Sequence, residues 1–193
     1  MYITMVLTCF SISKPMRIDH INVIPECYVD TNLIQYLIQG TVNHQHGCNN
    51  VVGKIKNSFH DRFAIGIIDN DKDQVGYLKD CLKITQTTHL QFFKHKTLPH
   101  YLITVDPATD QFILECANNL GVNPENFNLP SELQAFTKRT KKTSSNNDPD
   151  IRNLIRSIGD HAEIKALRQS LHYLIQKQYS ADNEGLIRSM QIN

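Results

Sequence analysis

The stretch Phe63-Ala64-Ile65-Gly66-Ile67-Ile68 constrains this chain more than any other: six residues, five of them apolar, with no alternation. So short and uniformly apolar a run predicts a strand buried on both faces, as in a parallel sheet with helices on either side. It leads into Asp69-Asn70-Asp71-Lys72-Asp73, three carboxylates spaced two apart. Ligands of open α/β sheets gather at the carboxyl ends of such strands. Asp69 and Asp71 are expected there, where like charges repel and require compensation. A hard cation such as Mg²⁺ takes oxygen ligands and often only one or two carboxylates. An acidic, solvated turn is the plainer reading of the same residues.

Strand and helix patterns alternate around this run. Residues 18–24 are β-branched and partly alternating, a strand that Pro25 ends. Residues 31–38 carry Leu33, Ile34, Leu37 and Ile38 at helical spacing, with Gly40 as a stop. Thr41 and Val42 read as a short strand, residues 43–50 as a polar loop and 51–59 as a short helix. Beyond Asp73, residues 74–82 read as helical, residues 91–93 and 101–105 as strands, and a helix opens at Pro107 and closes at Gly121. The alternation predicts an α/β fold with a mostly parallel central sheet flanked by helices. Later the character changes. Residues 131–136 read as a short helix with Ser131 as cap. Residues 138–147 are polar and basic, a linker or mobile loop. Residues 150–178 have helical periodicity divided at Gly159 and Asp160. The expected organisation is an N-terminal extension (1–17), an α/β domain (18–122) and a helical C-terminal appendage (123–193). Met16 offers a second possible start.

Charge excludes little. The net charge is +1, so no global pull toward nucleic acid exists. Residues 138–193 nevertheless hold ten Lys and Arg against six Asp and Glu, while residues 1–137 hold ten against thirteen. Five dispersed cysteines without a C-x-x-C pair fit reduced thiols and a cytoplasmic setting. No apolar run reaches the length of a membrane span.

The first strand also ends in a carboxylate, Glu26, with Asp30 one helical turn on. Glu26-Cys27-Tyr28-Val29-Asp30, some forty residues before Asp69-Asn70-Asp71, resembles the Toprim family, which carries E-G-x-x-D after its first strand and D-x-D after its third. The likeness covers residues 18–120 in strand order. Cys27 stands where the family has Gly, and the Gly that usually follows D-x-D is missing. The resemblance implies Glu26, Asp69 and Asp71 around Mg²⁺, with Asp30 and Asp73 as further candidate ligands. It implies phosphodiester chemistry of the kind run by topoisomerases, primases, small RNA maturases and the nucleases of phage-exclusion systems. Glu26 is then a metal ligand or the base that activates water. Defence nucleases of this fold often place a lysine on the strand after D-x-D, and Lys94 and Lys96 fall in that region. A lysine there would neutralise developing phosphorane charge; a solvated basic loop is the alternative.

His44, His46 and Cys48 alternate in one loop. Imidazole and thiolate suit Zn²⁺, but the ligand count is short. Substrate contact or proton transfer by His44 and His46, with Asn49 beside them, is the better functional reading than zinc, and a plain polar loop is the alternative. Two rivals use the same aspartates. Asp69, Asp71, Asp73 and Asp80 fit positions of a calcium loop, but Gln74 stands where Gly is demanded. The haloacid-dehalogenase phosphatases also place D-x-D after a strand, but there the motif starts the fold and Glu26 has no role. The expectation is a bacterial, Mg²⁺-dependent RNA or DNA nuclease of RNA processing or phage defence. The alternative is a catalytically degenerate Toprim-like subunit that binds a partner protein through residues 150–178.

Overall fold

A computed structural model of the chain describes residues 18–70 and 76–191. Asp71 and Asp73, two of the expected ligands, lie outside the described residues, as do Cys9 and the N-terminal extension. Within them the architecture is α/β. The strand expected at 18–24 is two strands, β1 (Ile18–His20) and β2 (Val23–Pro25), with a turn between them. Helix α1 (Tyr28–Ile38) follows, ended by Gln39 in the left-handed region, so Gly40 opens β3 (Gly40–Val42) and is not the stop. Helix α2 (Cys48–Lys54) runs on through a wide π-helical turn (Ile55–Phe59) into β4 (Ala64–Asp69).

The sheet is mixed, which corrects the mostly parallel expectation. β2, β4 and β7 (His100–Val105) are parallel neighbours, and β6 (Leu90–His95) and β5 (Cys81–Gln86) extend the sheet antiparallel. β1 and β3 form a separate parallel pair. Only residues 87–89 join β5 to β6, and only 96–99 join β6 to β7. A parallel return needs a crossover of a dozen or more residues, so both connections must be hairpins. The helix expected at 74–82 is a 3₁₀ turn (Gly76–Asp80) and then β5, whose Leu82 and Lys83 are exposed as on a guarded edge strand.

β4 sends alternate residues to two apolar layers. Ile65 and Ile67 pack with α1 and with α3 (Thr109–Asn119), α5 (Pro149–Ser157), α6 (Ala162–Lys177) and α7 (Asn183–Met190). Ala64 and Ile68 pack with Val51, Ile55, Phe59 and Tyr77 on the other face. Gly66 lies between them. A Cβ there would stand 2.6 Å from Leu102 Cδ2 and 2.9 Å from Ile55 Cδ1. Gly66→Val is therefore expected to cost about 1–3 kcal/mol or more by overpacking, read as a lower urea midpoint at unchanged slope; an unchanged midpoint would disprove the close approach.

The C-terminal helices share the larger core with the sheet. The basic stretch 138–147 is not a free linker. Its first residues belong to α4 (Leu133–Thr140), capped by Glu132 where Ser131 was expected. Ser145 is buried, and its carbonyl accepts from Asn32 Nδ2 at 2.8 Å. Arg139 Nη2 pairs with Asp148 at 2.5 Å. No helix of the described residues is long and apolar enough to cross a membrane.

Candidate functional site

The register of the parallel strands assembles the site. Pro25 stands level with Ile67, and Asp69 level with Val105, so the ends of β2, β4 and β7 share one edge. Glu26 leaves β2 there, and its Oε2 accepts from Asp69 N at 3.0 Å. On the other side β7 turns through Pro107 into α3. Asp69 Oδ1 accepts from Thr109 N at 2.9 Å and from Thr109 Oγ1 at 3.2 Å. Ala108, the residue before α3, has no side chain with which to cap it. Asp69 supplies that cap from a neighbouring strand, placing a carboxylate on the positive end of the helix.

Asp30 lies in the first turn of α1 and is buried. Its Oδ2 accepts from Cys27 N at 3.0 Å, while its Oδ1 is buried with no hydrogen-bond partner. Burial drives the Asp30 carboxyl up to about 7, opposed by the neighbouring Thr109 and Cys27 groups, with Glu26 adding repulsion. Burial, then the charge of Asp30, drives Asp69 up to about 8. Among the described residues neither aspartate has a Lys or Arg ion-pair partner. Nor, among them, are three His, Cys, Asp or Glu side chains arranged to hold a metal ion.

The histidine loop runs beside this edge. Gln45 N donates to Pro25 O at 3.0 Å and Gly47 N to Glu26 O at 3.4 Å. His44 stacks on Tyr28 with ring centroids 4.6 Å apart, and His46 meets His44 edge-on at 4.5 Å. Thr31 Oγ1 donates its one proton to Cys27 O at 2.8 Å, so its 2.9 Å contact with His44 Nδ1 must be donated by the imidazole. His44 is thereby fixed with Nδ1 protonated and a lone pair on Nε2, an atom buried without a partner. Burial, then His46, lowers its pKa. The neutral ring accepts a proton at Nε2; it does not donate to a phosphate from that atom. Asn49 is exposed on α2.

Lys94 and Lys96 are not brought to the carboxylates. Lys94 pairs with Tyr101 near the start of β7, four residues from Val105, or about 13 Å along the strand. Its Nζ donates to Ala181 O at 3.3 Å and lies 5.5 Å from the Tyr101 ring centroid. Lys96 Nζ donates to Lys79 O at 2.9 Å. The expectation failed because β6 runs antiparallel, which sends its end to the far edge.

Sequence reasoning missed Thr109, whose only signal was its place just after Pro107. It also missed His89, held between Glu163 (Nδ1 to Oε2, 2.6 Å) and Glu115 (Nε2 to Oε2, 2.7 Å). Those partners lie 74 and 26 positions away, beyond any local motif.

Fold and site together define an α/β protein with a partly buried carboxylate cluster where parallel strands end. Comparison of the chain with protein-family models, curated proteins and solved structures finds no match.

Proposed function

We propose that this chain is a Toprim-like hydrolase that cleaves phosphodiester bonds of nucleic acid with Mg²⁺. The observation that carries the reading is the meeting of Glu26 and Asp69 beside the unpartnered Oδ1 of Asp30. The donor set is oxygen only, which fits a hard cation in type. The raised carboxyl pKa values fit as well, because a cation would relieve the burial and repulsion behind them. Glu26 and Asp69 would hold the ion, with Asp71 as the further ligand that the sequence motif suggests. When bound, Mg²⁺ polarises a phosphoryl oxygen and lowers the pKa of a bound water.

The chain's own residues then have separable tasks. Glu26, as ligand or base, takes the proton of the attacking water as the new P–O bond forms and the ester P–O bond breaks. The leaving oxygen is protonated from solvent. Thr109 fixes one oxygen of Asp69, and Asp30 sets the local field from beneath.

Because burial raises the Asp30 and Asp69 carboxyls to about 7 and about 8, a bound cation would displace protons from them. Calorimetry is therefore expected to show Mg²⁺ binding that tightens between about pH 6 and pH 9, with protons released to the buffer. Cleavage of a labelled RNA or single-stranded DNA should follow the same pH dependence. Absence of binding in the wild type, or equal binding by Asp69→Asn, would transfer the chain to the second reading, a degenerate subunit that engages a partner protein.

A further inference from the structure

The positive charge of residues 138–193 takes no part in the carboxylate site. Part of it gathers on α1, which buries most of its length and leaves Tyr28, Gln35 and Tyr36 partly open, with Gln39 exposed just beyond. Arg152 and Arg156, one turn apart on α5, share a face beside this strip. With Gln35, Tyr36 and Gln39 they line a pocket of about 150 Å³. Arg168, from α6, lies over the Tyr36 ring, 5.6 Å from its centroid.

Several partners of these arginines are neutral. Arg152 Nη2 donates to Gln35 Oε1 at 3.1 Å and to Asn147 Oδ1, and Arg156 Nη1 donates to Asn153 Oδ1 at 3.1 Å. Among the described residues neither Arg156 nor Arg168 forms an ion pair with a carboxylate. The neighbouring acids are engaged elsewhere: Asp148 with Arg139, and Asp160 with Lys165 at 3.1 Å. Asp150, in the first turn of α5, is the remaining acid on that helix. The guanidinium groups of Arg156 and Arg168, held near amides and a tyrosine, match the oxygens of a phosphate diester.

The length of the strip decides between one phosphate and many. One turn into α1, the Asn32–Ser145 bond brings up the segment that carries the exposed Lys141 and Lys142. The arginines lie beside the second half of this 11-residue helix, about 16 Å long, and the lysine-bearing segment joins it one turn from its start, with Tyr28 at one end and Tyr36 near the other. Positive charge interleaved with aromatic rings is how single strands are held. The Tyr28 end adjoins the carboxylate site, since Asp30 and Thr31 belong to the same helical turn.

We propose that the face formed by α1, α5 and α6 binds the phosphodiester backbone of single-stranded nucleic acid, with Arg156 and Arg168 as its main phosphate contacts. The choice of nucleic acid among polyanions rests on the proposed hydrolysis; the anion site itself does not. The test is fluorescence anisotropy of labelled single-stranded DNA and RNA with the full chain, without Mg²⁺, at about 50 and about 200 mM salt. Arg156→Gln/Arg168→Gln is expected to weaken binding at least about tenfold and to flatten the slope of log affinity against log salt by about 1.4, two phosphates at 0.7 each. Lys177→Gln/Arg188→Gln, charge-matched on α6 and α7, should bind as the wild type does. Arg156→Gln alone, at an exposed position, should weaken binding severalfold and keeps the test valid should the double variant misfold.

The proposal is overturned if the wild type binds neither strand or if both double variants weaken equally. It also falls if inorganic phosphate competes as well, per phosphate, as the oligonucleotide does. Arginine-dependent binding without any cleavage would sink the hydrolase reading and leave this one standing. Cleavage and binding both indifferent to the arginines would do the reverse.

Discussion

Asp69→Asn is expected to lower Mg²⁺-dependent cleavage at least a thousandfold, about 4 kcal/mol of transition-state stabilisation, and to make the protein more stable above pH 8. Both effects come from one charge. Asn keeps the oxygen that accepts from Thr109 N, so α3 keeps its cap. What is lost is the anionic oxygen that the proposed ion would bind. The stability gain follows from linkage. The Asp69 carboxyl is raised from 3.8 to about 8, so the folded chain holds more protons than the unfolded chain across that interval. Stability falls as pH rises through it, and the full cost is present above pH 8. Removing the charge should recover about 1–3 kcal/mol there, a discounted share of so large a shift in a coupled pair, and nothing below pH 4. Denaturant titrations at pH 5 and pH 9 measure the difference. Equal stability of the two proteins at pH 9 would show that the carboxylate is not strained, and undiminished cleavage would remove Asp69 from catalysis.

The parts of this fold that were legible in the sequence are those set by local pattern. The unbroken run before Asp69 predicts a strand buried on both faces, and residues 64–68 are buried throughout. The rule that ligands gather at strand ends was enough to bring Glu26 and Asp69 together. The antiparallel half of the sheet was harder to read. The residues at 87–89 and 96–99 lack the Asn-Gly or Asp-Gly pairs that announce a tight hairpin, although their shortness alone excluded a crossover. Alternation in Cys81-Leu82-Lys83-Ile84-Thr85-Gln86 was masked by the 3₁₀ turn before it. The basic segment 138–147 read as mobile because polarity says nothing of partners. Asn32, 113 positions away from Ser145, anchors it. Thr109 and His89 share that cause, since each acquires its role from residues brought close only by the completed fold.

His89 carries the second large effect. Burial alone would lower its pKa, but hydrogen bonds and charge from Glu163 and Glu115 outweigh burial and raise it. For Glu163, burial is outweighed by bonds from His89 and Thr87, and its pKa falls. Glu115 is lowered first by Gln111, against some burial, and then by His89. Glu163 also accepts from His89 N at 2.9 Å, so one α6 side chain holds both the ring and the backbone of the β5–β6 turn. Both ring nitrogens face carboxylates, an arrangement that only the imidazolium satisfies. A raised histidine contributes stability that is fully present below its unfolded pKa of 6.5 and is lost as pH rises through the folded value. The lowered glutamates contribute stability present above 4.5 and lost as pH falls through theirs. The contribution of the cluster is therefore greatest between about pH 4.5 and 6.5. His89→Ala is expected to cost about 2–3 kcal/mol in that window, since it leaves two carboxylates facing each other with one of them largely buried. The loss should shrink as pH rises through the raised His89 pKa, where the wild type also gives up its cation. Glu163→Gln added to His89→Ala should restore part of the loss by ending the repulsion. A wild-type-minus-variant difference that stays flat from pH 5 to pH 9 would mean that His89 contributes by packing against Phe112 alone, 5.6 Å between ring centroids, and not by its charge.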